Sequence, residues 1–153
     1  MAGIDRLSAS PLGFGREVIL PLLSGILVVG PPAGPPRLRC PLMGEIRDLV
    51  LAGSLALALC QLPPRLAAVD LETGEVRWSH VLGSSVEPHL WVAGTRVAVT
   101  TEGDGDRLSV LDLPTGLMVV DALPVPGSLV AVLPAPDGML ILTSRGELHH
   151  LAF

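Results

Sequence analysis

Short apolar runs, separated by turns that contain glycine or proline, make up most of this chain. The runs are about four to seven residues long and rich in Val, Leu and Ile, and none shows the 3.6-residue period of an amphipathic helix. Residues 48–60 and 89–101 each contain an apolar run, a two-residue connection with a glycine, and a second apolar run. Such a connection is typical of a β-hairpin. The pattern therefore predicts short antiparallel strands.

The strand pattern repeats with a period of about forty residues. An Asp-x-x-Thr-Gly sequence occurs twice at an offset of 42 residues, at Asp70, Thr73 and Gly74 and again at Asp112, Thr115 and Gly116. A third copy of the strand pattern covers residues 129–153. An incomplete copy, in which the proline-rich residues 31–36 occupy the turn, precedes the others. The chain is therefore built from internal repeats.

Four short antiparallel strands in about 40–45 residues are the signature of a β-propeller blade. We therefore predict an all-β fold with about four blades of four antiparallel strands, a partial or half propeller. An N-terminal segment, residues 1–15, precedes units at about 16–44, 45–85, 86–127 and 128–153. The first unit is expected to supply its last three strands and the last unit its first three.

One stretch of the second unit resembles a known repeat. Residues 68–78, Ala-Val-Asp-Leu-Glu-Thr-Gly-Glu-Val-Arg-Trp, resemble the A-x-D-x-x-T-G-x-x-x-W pattern of the PQQ-type (quinoprotein-like, WD40-like) β-propeller family. The resemblance implies an outer hairpin in which Asp and Thr brace the turn and Trp78 docks against a neighbouring blade. Leu38 and Val120 stand at the tryptophan position of two other units, so the chain resembles a degenerate copy. The resemblance implies a fold and does not imply binding of PQQ.

Propellers usually have four to eight blades, and relatives of the PQQ type commonly close with eight, as the resemblance implies. Two closures remain open. The chain is either a half propeller that a second copy or a different subunit completes, or a small ring in which the N-terminal strands complete the last blade. We favour the first, because open propeller edges expose unpaired strand groups and apolar faces that must be covered.

Composition supports extensive burial. Apolar residues make up 49% of the chain and charged residues 16%, below the approximately 25% that is usual in soluble domains. The net charge is −5, and all ten basic residues are scattered arginines, so the basic stripe of a nucleic-acid-binding protein is absent. The N-terminus lacks the layout of a signal peptide, and the apolar run at residues 18–29 is too short to span a bilayer. We predict a cytoplasmic protein without a membrane span.

Few residues suggest chemistry. Cys40 and Cys60 lie in apolar runs and are interpreted as reduced core thiols. Glu102, Asp104 and Asp106 form an acidic loop that either binds Ca²⁺ or is a solvated hairpin turn, and the turn is the simpler interpretation. The remaining candidates are the histidines, and we interpret all of them as ordinary strand or loop residues: His80, His89, His149 and His150.

The sequence therefore favours a non-catalytic scaffold or protein–protein interaction subunit. The expected partner is another protein or a second copy of the chain, bound through open propeller edges. No catalytic, metal or cofactor residue is predicted, because no Gly-x-Ser-x-Gly, P-loop or His-Glu-x-x-His motif occurs. The alternative is a small-molecule or cofactor-binding propeller, a diverged relative of the quinoproteins. A third possibility is a fragment of a larger gene product.

Overall fold

The computed structural model describes residues 5–83, 86–101 and 106–153, and of residues 86–88 the backbone only. Over these residues the chain is all-β, with fifteen strands in four antiparallel sheets of three or four strands. The predicted architecture of propeller blades is confirmed. The chain forms two compact units, Met1–Gly83 and Ser84–Phe153, and each contains two of the sheets. None of the described residues forms a helix long and apolar enough to cross a membrane.

The first unit contains two four-stranded sheets. The first sheet consists of β1 (Leu12–Phe14), β2 (Glu17–Pro21), β3 (Ile26–Gly30) and β4 (Leu38–Pro41), paired in that order. The second sheet consists of β5 (Glu45–Ala52), β6 (Leu55–Gln61), β7 (Arg65–Asp70) and β8 (Val76–Val81), also paired in sequence order. Each strand pairs with the next strand along the chain, as short turns between antiparallel strands require.

The second unit contains the third and fourth sheets. The third sheet consists of β9 (Val86–Ala93), β10 (Arg96–Thr101), β11 (Arg107–Asp112) and β12 (Met118–Pro124). The fourth sheet consists of β13 (Leu129–Ala135), β14 (Gly138–Thr143) and β15 (Leu148–Ala152). Within the described residues β15 is an edge strand, and the prediction that the last unit supplies three strands is confirmed.

The two predicted glycine hairpins are confirmed. Ala52 pairs with Leu55 across the Gly53–Ser54 connection, and Ala93 pairs with Arg96 across the equivalent connection of the third sheet. Gly53 has a φ of +62°, in the left-handed region that a two-residue hairpin requires and that glycine adopts without steric cost. The local turn chemistry therefore determines where each hairpin bends.

The first sheet differs from its prediction. The sequence indicated three strands in the first unit, but β1 adds a fourth, with Leu12 opposite Ile19 and Phe14 opposite Glu17. β1 lies inside the segment 1–15 that the repeat analysis set apart. The strand was missed because it has only three residues, one of them Gly13, and so shows no apolar alternation. Tertiary pairing with β2 defines it.

Each sheet has two faces, which we name by their neighbours. Where the two sheets of a unit pack together, the packed face of the earlier sheet is its trailing face and the packed face of the later sheet is its leading face. The opposite face of each sheet takes the other name. The trailing face of the first sheet, with Ile19 and Val29, packs on the leading face of the second, with Ala56 and Ala58. These four side chains are fully or almost fully buried. Alternation along each strand places its apolar residues on both faces.

The second unit packs in the same order. The trailing face of the third sheet, with Ala98 and Val110, packs on the leading face of the fourth, with Met139 and Ile141. Neighbouring blades in each unit are therefore joined by a trailing face on a leading face. The small alanines in both cores allow the sheets to approach closely, and the larger aliphatic residues fill the space between them.

Candidate functional site

The Asp-x-x-Thr-Gly sequence of the second sheet forms a tight turn between β7 and β8. The Asp70 carboxylate accepts hydrogen bonds from the backbone N–H groups of Glu72 at 2.8 Å and Thr73 at 3.3 Å, and from Arg77 Nε at 3.0 Å. Gly74 has a φ of +77° and donates its N–H to the Asp70 carbonyl at 2.7 Å. The Arg77 hydrogen bond, followed by that of Glu72, holds the pKa of Asp70 below its usual range.

The third sheet repeats this turn between β11 and β12. Asp112 accepts hydrogen bonds from the Thr115 hydroxyl at 2.6 Å and the Thr115 N–H at 3.2 Å. Gly116 has a φ of +71° and donates to the Asp112 carbonyl at 2.7 Å. The Thr115 hydrogen bond lowers the pKa of Asp112, with a further contribution from the Arg96 charge. The cation comes from β10 here and from β8 in the case of Arg77, so the turns share a backbone but differ in their ion pairs.

The turn of the second sheet docks on the first sheet. A Cβ atom placed on Gly74 would lie 3.0 Å from Leu38 Cδ2, so the Leu38 side chain packs directly on the glycine. Beside it, Arg37 donates from Nη2 to the Leu71 carbonyl at 2.9 Å and from Nε to Glu17 Oε1 at 2.7 Å. Leu38 stands at the tryptophan position of its unit, and the aliphatic side chain contacts the turn of the next sheet.

The other two docking positions lie on outer strands. Trp78 is half-buried in β8 opposite Ala68. Val120 in β12 packs against the core of the second unit. Trp91, the second tryptophan of the chain, also packs on that core and lies 6.0 Å from the His89 ring, centroid to centroid. Trp91 is therefore part of the core of the second unit.

The leading face of the first sheet forms an apolar groove. Val18, Leu20 and Val28 project from β2 and β3 on the side opposite the core of the first unit. Arg39 follows in the same row on β4, and the described residues provide it with no ion pair. The groove encloses about 570 Å³ and has a rim formed by the proline-rich residues 31–36. It is concave and open, with an aliphatic centre, and the exposed Arg39 side chain lies on its edge strand.

The trailing face of the fourth sheet is an apolar surface that the third sheet leaves uncovered. The strand register aligns Leu133, Leu140 and His150 in one row. Leu142 and Leu148 lie in the next row, on the same side. Leu133 is 54% exposed and Leu148 61% exposed. Soluble proteins rarely expose contiguous apolar patches of this kind unless the patch binds something.

The histidine candidates do not come together. His149 and His150 point to opposite sides of β15, opposite Ile141 and Leu140 respectively. His149 Nε2 lies 3.2 Å from Glu147 Oε2, and His150 Nε2 lies 2.9 Å from Asp137 Oδ1. Within the described parts of the chain no three His, Cys, Asp or Glu side chains are grouped to hold a metal ion. The acidic loop lies outside the described residues except for Asp106.

A small polar cavity lies in the second unit beside His89, Trp91 and Asp106. It encloses about 270 Å³, below the range of roughly 300–1,000 Å³ that is usual for ligand sites. Cys40 and Cys60 are free and buried. Burial raises the pKa of Cys60 to about 11 and also raises the pKa of Cys40, which makes both thiols poor nucleophiles.

Sequence reasoning missed two features of these surfaces. The first is the arginine that neutralises each turn aspartate. Arg77 follows Asp70 at seven residues, but Val119 holds that position after Asp112 and Arg96 substitutes from another strand. The second is the identity of the uncovered faces, which depends on strand register. The alternation of apolar residues could have indicated the faces but not which ones remain exposed.

No family model and no curated protein sequence matches this chain. Solved structures do match it. The computationally designed Ika4 protein is 14% identical with a TM-score of 0.74, and the match covers 99% of this chain and 94% of Ika4. BamB from Moraxella catarrhalis is 20% identical with a TM-score of 0.70, over 96% of this chain and 46% of BamB.

The computationally designed Ika8 protein is 15% identical with a TM-score of 0.74, over 96% of this chain and 46% of Ika8. The chain therefore spans about half the length of BamB and Ika8, and almost all of Ika4. At these identities the likeness shows the fold alone. Together with the four sheets, it identifies the chain as a set of β-propeller repeats.

Proposed function

We propose that this chain is a non-catalytic β-propeller scaffold that binds another protein chain and completes a propeller with it. The observation that carries the proposal is the uncovered aliphatic surface on the trailing face of the fourth sheet. Leu133 and Leu148 are more than half exposed there. Fully burying one exposed leucine side chain contributes about 1.5–3 kcal/mol, so covering these half-exposed leucines with a partner favours association.

The polar groups of the repeat support a structural role over a catalytic one. The Asp70 carboxylate already accepts hydrogen bonds from Glu72, Thr73 and Arg77. A catalytic acid or base must have a free position through which it reaches a substrate. The Asp70 carboxylate has no such free position, because its oxygens already accept hydrogen bonds from two backbone N–H groups and a guanidinium. The repeated aspartates therefore serve the turns.

Two further proposals accompany this one. The PQQ-type assignment is supported by the Asp-x-x-Thr-Gly turns, whose backbone geometry recurs at Gly74 and Gly116. A cytoplasmic location is supported by Cys40 and Cys60, which are free and buried, because reducing compartments keep thiols unpaired.

The experiment is a native-mass measurement on the purified chain, followed by one substitution on the proposed surface. We expect a complex with more than one chain, and we expect Leu148→Arg to dissociate it, because a guanidinium cannot be buried unpaired against leucines. The matched control is Leu117→Arg, at a side chain 68% exposed outside the fourth sheet. A stable single chain that binds no protein would overturn the proposal.

A further inference from the structure

Two sheet faces that are uncovered within their own units are of opposite kinds. The first sheet exposes a leading face, the apolar groove with Val18, Leu20 and Val28. The fourth sheet exposes a trailing face, with Leu140, Leu142 and Leu148 among its residues. Inside each unit, one trailing face packs on one leading face.

The interfaces inside the chain show what covers such faces. Ile19 and Val29 of a trailing face bury against the leading face of the second sheet. Ala98 of a trailing face buries against Met139 of the next leading face. Both interfaces are aliphatic. In both, side chains alternate along each strand between the two faces of the sheet, and the apolar side chains of one face form the contact. Inside each unit, a trailing face is therefore covered by a leading face.

On the basis of the proposed function, we propose that the partner is a second copy of this chain. The trailing face of the fourth sheet in each copy packs on the leading face of the first sheet in the other. Two such contacts are related by a twofold axis and close the assembly. Two copies supply eight sheets, at the upper end of the usual four to eight blades.

Chain length and exposure favour a second copy. The chain matches 46% of Ika8 and 46% of BamB, so two copies supply about the length of either. Leu133 and Leu148 are 54% and 61% exposed on the face of the fourth sheet that the third sheet leaves uncovered. A second copy brings the complementary leading face without any further protein, and it satisfies both uncovered surfaces of both chains at once.

The test uses one substitution on each face. Gly13 lies on the leading face beside Val18, with φ outside the left-handed region and no atom within 4 Å of an added Cβ. Gly13→Arg therefore leaves the fold intact while it blocks the groove. Gly83→Arg is its matched control, because Gly83 also has open space and lies outside the first sheet. Leu148→Arg blocks the trailing face.

We expect the full chain to sediment as two copies. Gly13→Arg and Leu148→Arg should each raise the dissociation constant at least about tenfold, which corresponds to about 1.4 kcal/mol, and Gly83→Arg should not. A mixture of the two blocked variants should form two-copy complexes again, because one interface in the mixed pair has no substitution on either face. This recovery would support the packing of a trailing face on a leading face.

Three outcomes would overturn the inference in different ways. If Leu148→Arg dissociates the complex and Gly13→Arg does not, two trailing faces bind each other. In the other two outcomes the chain is a single copy. Thiol labelling of the Leu148→Cys variant separates them, because the native Cys40 and Cys60 are buried and only the new thiol can report on the face. A reactive Cys at 148 leaves the face open for a different protein, and the proposed function survives. A protected one shows that the chain closes its own ring, and both proposals fail.

Discussion

The Leu38 side chain packs on the α-carbon of Gly74, so that an added Cβ would lie 3.0 Å from Leu38 Cδ2. The contact joins the outer strand of the first sheet to the Asp-x-x-Thr-Gly turn of the second. Gly74 also has a φ of +77°, which L side chains rarely adopt. Glycine is therefore required here for two separate reasons, backbone conformation and close approach.

Gly74→Ala should destabilise the chain more than Gly53→Ala. Gly53 has a similar φ of +62° but open space around an added Cβ, so its substitution measures the backbone cost alone, about 1–2 kcal/mol. At Gly74 the added Cβ also crowds a terminal methyl of Leu38, which must move by a few tenths of an ångström, so about 1 kcal/mol of overpacking is added. Urea unfolding of both variants measures the difference.

Leu38→Ala provides the control for that comparison. If the extra loss at Gly74 comes from steric contact, combining it with Leu38→Ala should cost less than the sum of the two single substitutions, by about 1 kcal/mol. Equal losses for Gly74→Ala and Gly53→Ala, or strict additivity in the double variant, would contradict the contact as the cause.

Asp70 should make the free energy of unfolding fall as the pH is lowered through the acid range. Its pKa is held below the usual range mainly by the Arg77 hydrogen bond, so the unfolded chain binds a proton more readily than the folded chain. The contribution of Asp70 is therefore full above the unfolded pKa of about 3.9. It is lost as the pH falls from there through the lowered folded pKa. Urea midpoints between about pH 2 and 6 measure it.

Asp70→Asn should be less stable than the parent chain at pH 6 and should lose less stability on acidification. Asp121→Asn is the comparison, since Asp121 lies exposed on β12. An acid-induced loss in Asp70→Asn as large as that of the parent would show that other carboxylates cause the pH dependence.

Arg37 should contribute more to the free energy of unfolding than its ion-pair partner Glu17. Its guanidinium reaches Glu17 and also the carbonyls of Leu71 at 2.9 Å and Glu72 at 3.3 Å. Glu17→Gln keeps the two carbonyl contacts, whereas Arg37→Gln loses every one of them. We expect Arg37→Gln to lower the urea midpoint of unfolding more than Glu17→Gln does, because an exposed ion pair contributes little by itself. Unfolding in urea tests the order, and the reverse order would refute it.

The native cysteines should be unreactive until the chain unfolds. Cys60 is fully buried and burial raises its pKa to about 11, and Cys40 is 6% exposed with a raised pKa. Only the thiolate reacts with disulfide reagents. We expect no labelling at pH 8 in the folded chain and two labelled thiols in denaturant. Leu117→Cys, at a position 68% exposed, is the positive control. Rapid labelling of the folded parent would contradict the burial.

Local signals predicted most of the strands. Glycine at the first position of a two-residue connection has a conformational preference that acts without tertiary contacts, so the Gly53 and Gly94 hairpins were evident. The repeated Asp-x-x-Thr-Gly turn was evident for the same reason, because an aspartate side chain bonds backbone N–H groups two and three residues on. Strand β1 was not evident from the sequence, because its three residues around Gly13 are too few to show an alternation of apolar and polar side chains.

The uncovered faces show the limit of sequence patterns. Val18 and Ile19 are neighbouring aliphatic residues, yet Ile19 is fully buried while Val18 lines the open groove. Nothing local distinguishes them, because the strand has apolar residues on both sides. Which side is covered depends on the sheet packed against it, which only the tertiary structure establishes.

By itself, the sequence determined the repeat, the antiparallel strands and the turns that join them, because these depend on side-chain alternation and on backbone preferences within a few residues. The tertiary structure decided which cation neutralises each turn aspartate, where Leu38 docks and which sheet faces stay exposed. These depend on strand register and sheet packing between residues distant in the chain. Arg96 reaches Asp112, sixteen residues away, only because β10 and β11 pair in the register that brings them side by side.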